Sequence, residues 1–146
     1  MPIVDYPFVD IDGSPKPAIP VVLTNPANNF DHFTWALIDT GADDTVIPAY
    51  IGQKLYHNLK HHKVKKDICC GIGGEAPAYY HTFRLNFLES DRKGHISERS
   101  VIRINQRLFA VVEGIHTMIL GESDFLKKYI LTINYPKKTF SVRKPR

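Results

Sequence analysis

The sequence predicts a mainly β domain that closes into a barrel or a sandwich and carries two short helices. Short apolar runs recur along the 146 residues, and segments rich in Gly, Pro and Asn separate them. Helical spacing of apolar residues is confined to two short stretches. Many short strands joined by turns are typical of closed or packed antiparallel sheets, so we expect this architecture.

The N-terminal part of the chain predicts an extended arm followed by a hairpin. Residues 1–20 contain five prolines, which lack an amide donor and favour extended or turn conformations. Two apolar runs follow, at residues 21–24 and 33–38. The Asn- and Pro-containing residues 25–29 between them predict the turn of a hairpin.

Two short helices are predicted, one after Pro48 and one after Gly121. Proline is tolerated in a first helical turn, and glycine ends the preceding apolar run. The apolar residues at helical spacing are Ile51, Leu55 and Leu59 in the first stretch and Phe125, Leu126, Tyr129 and Ile130 in the second.

Further hairpins are predicted in the second half of the chain. Residues 63–70 and 76–88 flank a glycine-rich tip, and residues 130–133 and 139–142 flank a turn that contains Pro136. Residues 143–146 form a basic tail. No internal repeat or linker divides residues 1–146, and this length can bury one core, so we expect a single domain.

The composition argues against a disordered, a membrane-spanning and an exported protein. The apolar fraction is 43%, as in ordinary globular proteins, and no apolar run approaches the roughly 20 residues of a membrane-spanning helix. The N-terminus lacks the basic start and apolar stretch of a signal peptide. Cys69 and Cys70 are sequence neighbours, which disfavours a disulfide. We therefore expect a cytoplasmic protein without a signal peptide or a transmembrane segment.

The segment that carries the chemistry is residues 36–46. Asp39 follows three apolar residues and precedes Thr40 and Gly41, so its carboxylate is predicted at the mouth of a core. Glycine permits a tight turn, and a threonine hydroxyl can fix the loop by bonding to backbone. The alternative is an ordinary surface turn, because turns favour all three residue types.

These residues resemble a known active-site signature. Asp39-Thr40-Gly41-Ala42 after an apolar strand is similar to that of aspartic proteases, and residues 39–46 resemble the retropepsin-like family. Two later elements agree: the glycine-rich residues 71–74 resemble the tip of the retropepsin flap, and residues 119–126 resemble the segment that closes the fold. The resemblance implies a closed acid-protease-type β-barrel that is one lobe of a homodimer.

The resemblance also implies a function, an aspartic endopeptidase in which a water is activated by Asp39 from two subunits. Only one Asp-Thr-Gly occurs in the chain, so the second aspartate must come from another copy. No cofactor or metal is implied. The implied catalytic residues are Asp39, Thr40 and Gly41, and the implied substrate-binding residues are Ala42, Asp43, Asp44, Gly71, Ile72, Gly73 and Gly74.

Three other readings stay open. The chain could be a non-catalytic module of the same fold that dimerises and binds peptides. His57 and His61, at helical spacing beside His62, could bind a metal, although no Glu or Cys completes the set. Basic runs at residues 54–66 and 127–146 could attract nucleic acid, but the first run lacks interleaved aromatics. The resemblance implies two partners, a second copy and an extended peptide. No membrane partner is expected, and nucleic acid is less favoured than these two.

Overall fold

A computed structural model describes residues 3–71 and 74–146, with the side chains at 69–71 and 74 not described. These residues form twelve strands and one α-helix. In chain order the elements are β1 (Ile3–Pro7), β2 (Val9–Ile11), β3 (Ser14–Lys16), β4 (Ala18–Thr24), β5 (Asp31–Ile38), β6 (Val46–Pro48), α1 (Ala49–Lys54), β7 (Lys66–Gly71), β8 (Gly74–Ser90), β9 (Ile96–Val112), β10 (Met118–Leu120), β11 (Ile130–Asn134) and β12 (Thr139–Arg143).

Six of the strands close into a barrel. The main sheet has the order β4-β5-β10-β6-β9-β8-β7, and β4 also pairs with β8, so the sheet meets itself and leaves β7 outside the ring. Closure pairs each of the six ring strands on both sides, so none of them has the free edge that otherwise invites unwanted pairing. The predicted mainly β class and the closed barrel are both confirmed.

A short strand in the barrel wall brings distant segments together. Strand β10 lies between β5, to which it is parallel, and β6, to which it is antiparallel. Strand β5 ends immediately before Asp39, and β6 begins at Val46. The loop that joins β5 to β6 is thereby held beside the residues that follow β10.

The barrel encloses an aromatic and aliphatic core. Phe83, Phe87, Phe109, Phe125 and Phe140 are fully buried. Burying a side chain of this size stabilises the fold by about 1.5–3 kcal/mol relative to leaving it in water. The core therefore draws its largest residues from β8, β9, the segment after β10 and the last strand.

The two ends of the chain pair with each other. Strand β12 lies between β1 and β11 in a three-stranded antiparallel sheet. Ile3 and Val142 face each other across β1 and β12 and are fully buried. The Tyr6 hydroxyl donates a hydrogen bond to the Leu88 carbonyl at 2.9 Å, which ties the sheet to the barrel. The segment predicted as an extended arm thus contributes a strand to the core, and two more of its strands, β2 and β3, form a small hairpin.

The prediction of two helices is wrong in number. The first is present as α1, but it ends at Lys54, before Leu55 and Leu59. The second stretch forms only a 3-10 turn at Leu126–Lys128, because Tyr129 is extended and leads directly into β11. Pairing of Ile130 with Arg143 on β12 outweighs the helical spacing there. Within the described ranges, no helix has the length and apolar character required to cross a bilayer.

Candidate active site

Asp39 is the first residue after β5, where the barrel wall ends. Its backbone N–H donates to the Leu120 carbonyl at 3.2 Å, and the preceding Ile38 N–H donates to the Pro17 carbonyl at 2.9 Å. Ile38 is buried and Asp39 is half-buried. Backbone contacts on both sides therefore fix the direction in which the Asp39 side chain leaves the barrel.

A tight turn orients the Asp39 carboxylate. The Gly41 N–H donates to Asp39 Oδ1 at 3.0 Å, and the Ala42 N–H donates to the Asp39 carbonyl at 3.1 Å. Among the described residues, the second carboxylate oxygen, Oδ2, has no hydrogen-bond partner. One oxygen is thus held by backbone while the other stays open to a water or a second acid.

The rest of the loop is clamped by the residues that follow β10. The Glu122 N–H donates to the Ala42 carbonyl at 2.9 Å, and the Ser123 N–H donates to the Asp43 carbonyl at 2.8 Å. The Ser123 hydroxyl also donates to the Asp44 carboxylate. The clamp leaves Thr40, Gly41, Asp43 and Asp44 exposed and Ala42 half-buried, so residues 40–44 form an accessible rim around Asp39.

Gly121 allows the two segments to approach closely. Its N–H donates to the Thr45 hydroxyl at 3.2 Å, and Thr45 is buried. A Cβ at position 121 would overlap the backbone of Asp44, including its Cα at 2.8 Å. Glycine at this position is therefore a packing requirement.

Asp124 completes the clamp and is itself paired. Its Oδ2 accepts a hydrogen bond from the Thr45 N–H at 3.0 Å, and its Oδ1 lies 2.9 Å from Arg107 Nη2. The Asp124 side chain is 13% exposed, and Arg107 lies over the buried ring of Phe109. In the sequence, Asp124 belongs to the motif at residues 119–126, whereas nothing in the residues around Arg107 distinguishes it from a surface arginine on a strand.

The predicted substrate-covering hairpin is described in part. Strands β7 and β8 pair antiparallel. The pairing runs from Lys66 opposite Tyr79 to Gly71 opposite Gly74, so a hairpin is present at this place in the chain. Ile72 and Gly73, at its tip, lie outside the described residues. The prediction that residues 71–74 cover the substrate therefore stays a prediction.

Two histidines meet near the base of that hairpin. The ring centroids of His57 and His81 are 4.8 Å apart, and His57 also contacts Phe83 at 4.7 Å. His81 Nε2 lies 3.1 Å from the Leu59 carbonyl, and His57 Nε2 is buried without a hydrogen-bond partner among the described residues. The sequence offered no signal for this pair, because 23 residues separate its members.

Burial makes both histidines hard to protonate. It lowers the pKa of His57 to about 4, helped by repulsion from His81 and opposed by a backbone hydrogen bond to Thr82. Burial also lowers the pKa of His81, opposed by its hydrogen bond to Leu59. Both rings are therefore neutral at neutral pH.

The proposed metal ligands are not gathered. The helix ends before His57, which packs against His81, while His61 stacks on His62 with centroids 4.3 Å apart. Within the described part of the chain, no group of three or more His, Cys, Asp or Glu side chains is placed to hold a metal ion.

Comparison with solved structures identifies the architecture. EIAV protease in complex with the inhibitor HBY-793 matches with a TM-score of 0.50 over 82% of this chain and 93% of that chain. The chain has the acid-protease fold. At 18% sequence identity, this likeness shows the fold alone. No protein-family model and no curated protein match the chain.

Proposed function

We propose that the chain is an aspartic endopeptidase whose catalytic pair consists of Asp39 from two copies. The observation that carries the proposal is the position of Asp39: an Asp-Thr-Gly turn follows a wall strand of an acid-protease barrel and is clamped by residues 121–124. A carboxylate held on one oxygen and open on the other is suited to share a proton with a second acid.

The reaction follows from the charge of such a pair. Two carboxylates a few ångström apart cannot both ionise cheaply, so they share one proton. The ionised member takes a proton from a water, and that water attacks the carbonyl carbon of the peptide bond. The protonated member donates toward the oxygen on which negative charge develops. No covalent intermediate forms.

The second aspartate comes from another copy because no other acid in the chain has the same context. Asp31 precedes His32 and Asp67 precedes Ile68, and Asp124 is occupied by Arg107 and Thr45. A two-fold axis beside Asp39 would place two equivalent carboxylates together. The active species is therefore a homodimer.

The terminal strands constrain how that dimer forms. Strands β1 and β12 already pair within one chain, with Ile3 and Val142 buried between them. Exchanging these strands between copies would first require removing them from their own core. We propose that two copies associate with the terminal sheet of each copy intact.

The remaining predicted residues take their roles from the resemblance. Thr40 would bond across the dimer axis, Gly41 would offer its carbonyl to the substrate backbone, and Ala42, Asp43 and Asp44 would line the cleft. Gly71, Ile72, Gly73 and Gly74 would cover an extended peptide, which would pair as an added strand. This arrangement reads side chains at alternate positions of the substrate.

The test compares Asp39→Asn with the wild type on a proteome-derived peptide mixture, with and without a pepstatin-type inhibitor. We expect cleavage sites in the wild type that disappear in the variant and in the inhibited enzyme. Asp10→Asn, at an exposed position on β2, is the matched control and should cleave normally. A wild-type protein that cleaves nothing would instead favour the non-catalytic peptide-binding module.

A mixing experiment tests the shared pair. If each copy supplies one aspartate, an excess of Asp39→Asn protein should draw wild-type chains into mixed dimers and reduce wild-type activity. Wild-type activity that is unaffected by the excess, while mixed dimers are detected by cross-linking, would contradict a catalytic pair made of two Asp39 side chains.

A further inference from the structure

Exposed aromatic side chains gather where the turn before β5 meets the end of α1. Tyr56 is 72% exposed and Phe30 is 51% exposed, and their ring centroids lie 5.2 Å apart, edge to face. Tyr50 is also exposed and contacts His32 with a centroid distance of 6.1 Å. Most exposed apolar residues on a protein occur singly, so two contacting pairs of rings carried by the same two segments of the chain are a candidate binding surface.

The turn and the helix end are fastened to each other. The side-chain amides of Asn25 and Asn28 both donate to the Leu55 carbonyl, at 2.8 and 3.1 Å. These bonds hold the turn that carries Phe30 against the helix end that carries Tyr56. The rings are therefore positioned before any ligand arrives.

Tyr56 adopts a backbone conformation that its side chain disfavours. Its φ is +63°, in the left-handed region that glycine or asparagine commonly occupies just after a helix. A bulky residue there is an outlier, and such outliers point to a role for the side chain that is kept despite the strain. A large, exposed ring at the strained position is explained if a ligand stacks on it.

One cation lies over a ring of this group, and a second is bonded to the turn that carries Phe30. Lys54 Nζ lies 5.6 Å from the Tyr50 ring centroid, and Arg84 donates to the Asn29 side chain at 2.9 Å. Neither cation is paired with a carboxylate among the described residues. The acid nearest to this turn in the sequence is Asp31, the first residue of β5, and the sequence holds no acid from residue 45 to residue 66.

We infer that these side chains form a surface that binds single-stranded nucleic acid. The aromatic surface, as we call it, consists of Phe30, His32, Tyr50, Lys54, Tyr56 and Arg84. Exposed rings beside unpaired cations suit bases that stack and phosphates that need positive charge. A proline-rich peptide would use the rings but would leave the cations without a role.

The fold brings aromatic residues beside the first basic run. The basic run that begins at Lys54 has few aromatics of its own, but β5 and the turn before it bring Phe30 and His32 beside it. His32 lies at the start of β5 and Asp39 directly follows its end, so the seven-residue separation between these positions spans about 23 Å. A nucleic acid on the aromatic surface would therefore hold the barrel without covering the Asp39 loop.

The test measures fluorescence anisotropy of a labelled oligothymidylate of about 16 nucleotides. Removing a stacking ring should weaken binding about tenfold, so we expect this loss for Phe30→Ala and for Tyr56→Gly. Tyr135→Ala, at a site 67% exposed and outside the aromatic surface, is the matched control and should bind as the wild type does. The anisotropy assay does not measure peptidase activity, so its outcome is independent of the proposed enzyme function.

Tyr56→Gly also separates binding from folding. Glycine relieves the strain of the left-handed backbone conformation. The melting temperature of the Tyr56→Gly variant should therefore equal or exceed that of the wild type, while its affinity for the oligonucleotide falls. Lys54→Gln and Arg84→Gln should each reduce the slope of log affinity against log salt by about 0.7 between about 50 and 200 mM salt. A duplex, whose bases are already stacked, should bind more weakly than the single strand.

Several results would overturn the inference. The first is a lack of oligonucleotide binding at about 50 mM salt, and the second is equal affinity of the wild type, Phe30→Ala and Tyr56→Gly for the oligonucleotide. The third is binding of the duplex that equals or exceeds binding of the single strand. The fourth is binding of a proline-rich peptide in place of the oligonucleotide.

Discussion

Asp124 holds Arg107 with one carboxylate oxygen and the backbone of Thr45 with the other. The two distances are 2.9 Å to Arg107 Nη2 and 3.0 Å to the Thr45 N–H. Arg107 belongs to β9, Asp124 follows β10, and Thr45 ends the loop that begins at Asp39. The position of the candidate catalytic aspartate thus depends on contacts between three segments that are distant in sequence.

Replacing Asp124 should loosen this junction. Asp124→Ala removes both acceptors and leaves Arg107 and the Thr45 N–H without them, so we expect the unfolding free energy to fall by about 2 kcal/mol. Asp124→Asn keeps an acceptor for Thr45 and should cost about 1 kcal/mol. Urea denaturation measures both. Arg107→Gln should resemble Asp124→Asn, and an alanine variant as stable as the wild type would contradict the role of this junction.

Gly121→Ala should damage the fold more than Gly41→Ala. A Cβ at 121 would overlap the backbone of Asp44, which cannot move without shifting the Asp39 loop. We expect a stability loss of about 1–3 kcal/mol, as for other overpacked sites. At Gly41 the added Cβ would meet Asp39 Oδ1 at 3.4 Å, an ordinary contact, so stability should change little. Thermal melts compare the two, and equal losses would count against the close-packing argument.

The His57 and His81 pair should make the fold less stable in acid. The unfolded chain protonates histidine near pH 6.5, whereas burial first and repulsion from His81 second lower the folded pKa of His57 to about 4. Below pH 6.5 the unfolded state therefore binds more protons, and stability falls as the pH drops from 6.5 to about 4. The loss from His57 levels off below that pH. After allowance for solvent screening, the loss of unfolding free energy that is due to His57 amounts to about 2 kcal/mol.

His57→Phe should remove much of this pH dependence, because phenylalanine takes up no proton and can keep the ring contact with Phe83. The measurement is the urea midpoint at about pH 7.5 and about pH 4.5. His62→Gln, at an exposed position, is the control and should retain the wild-type difference. An undiminished pH dependence in His57→Phe would mean that other groups cause it.

Ile3→Ala should destabilise the folded chain itself. Ile3 is fully buried between its own β12 and the barrel, so we expect a loss of about 3 kcal/mol, whereas Val4→Ala, at an exposed neighbouring position, should cost little. Unfolding should be followed over about a hundredfold range of protein concentration. If the loss of stability caused by Ile3→Ala grows as the protein is diluted, β1 would instead belong to a subunit interface.

Local features of the sequence predict the mainly β class, the hairpins and the residues of the candidate site. Strand periodicity and turn residues are local properties, and they placed a wall strand before Asp39 and a turn at Thr40 and Gly41. These features could be predicted because each depends on residues close together in the chain.

Which distant segments meet could not be predicted from such local features. The closure of the barrel by β4 and β8, the contact of Arg107 with Asp124 and the pairing of β1 with β12 each join residues far apart in sequence. Helical spacing failed for the same reason at Tyr129, where pairing of the following residues with β12 made the chain extended. Long-range pairing and packing outweigh local preference, since they bury far more apolar surface than a single helical turn can.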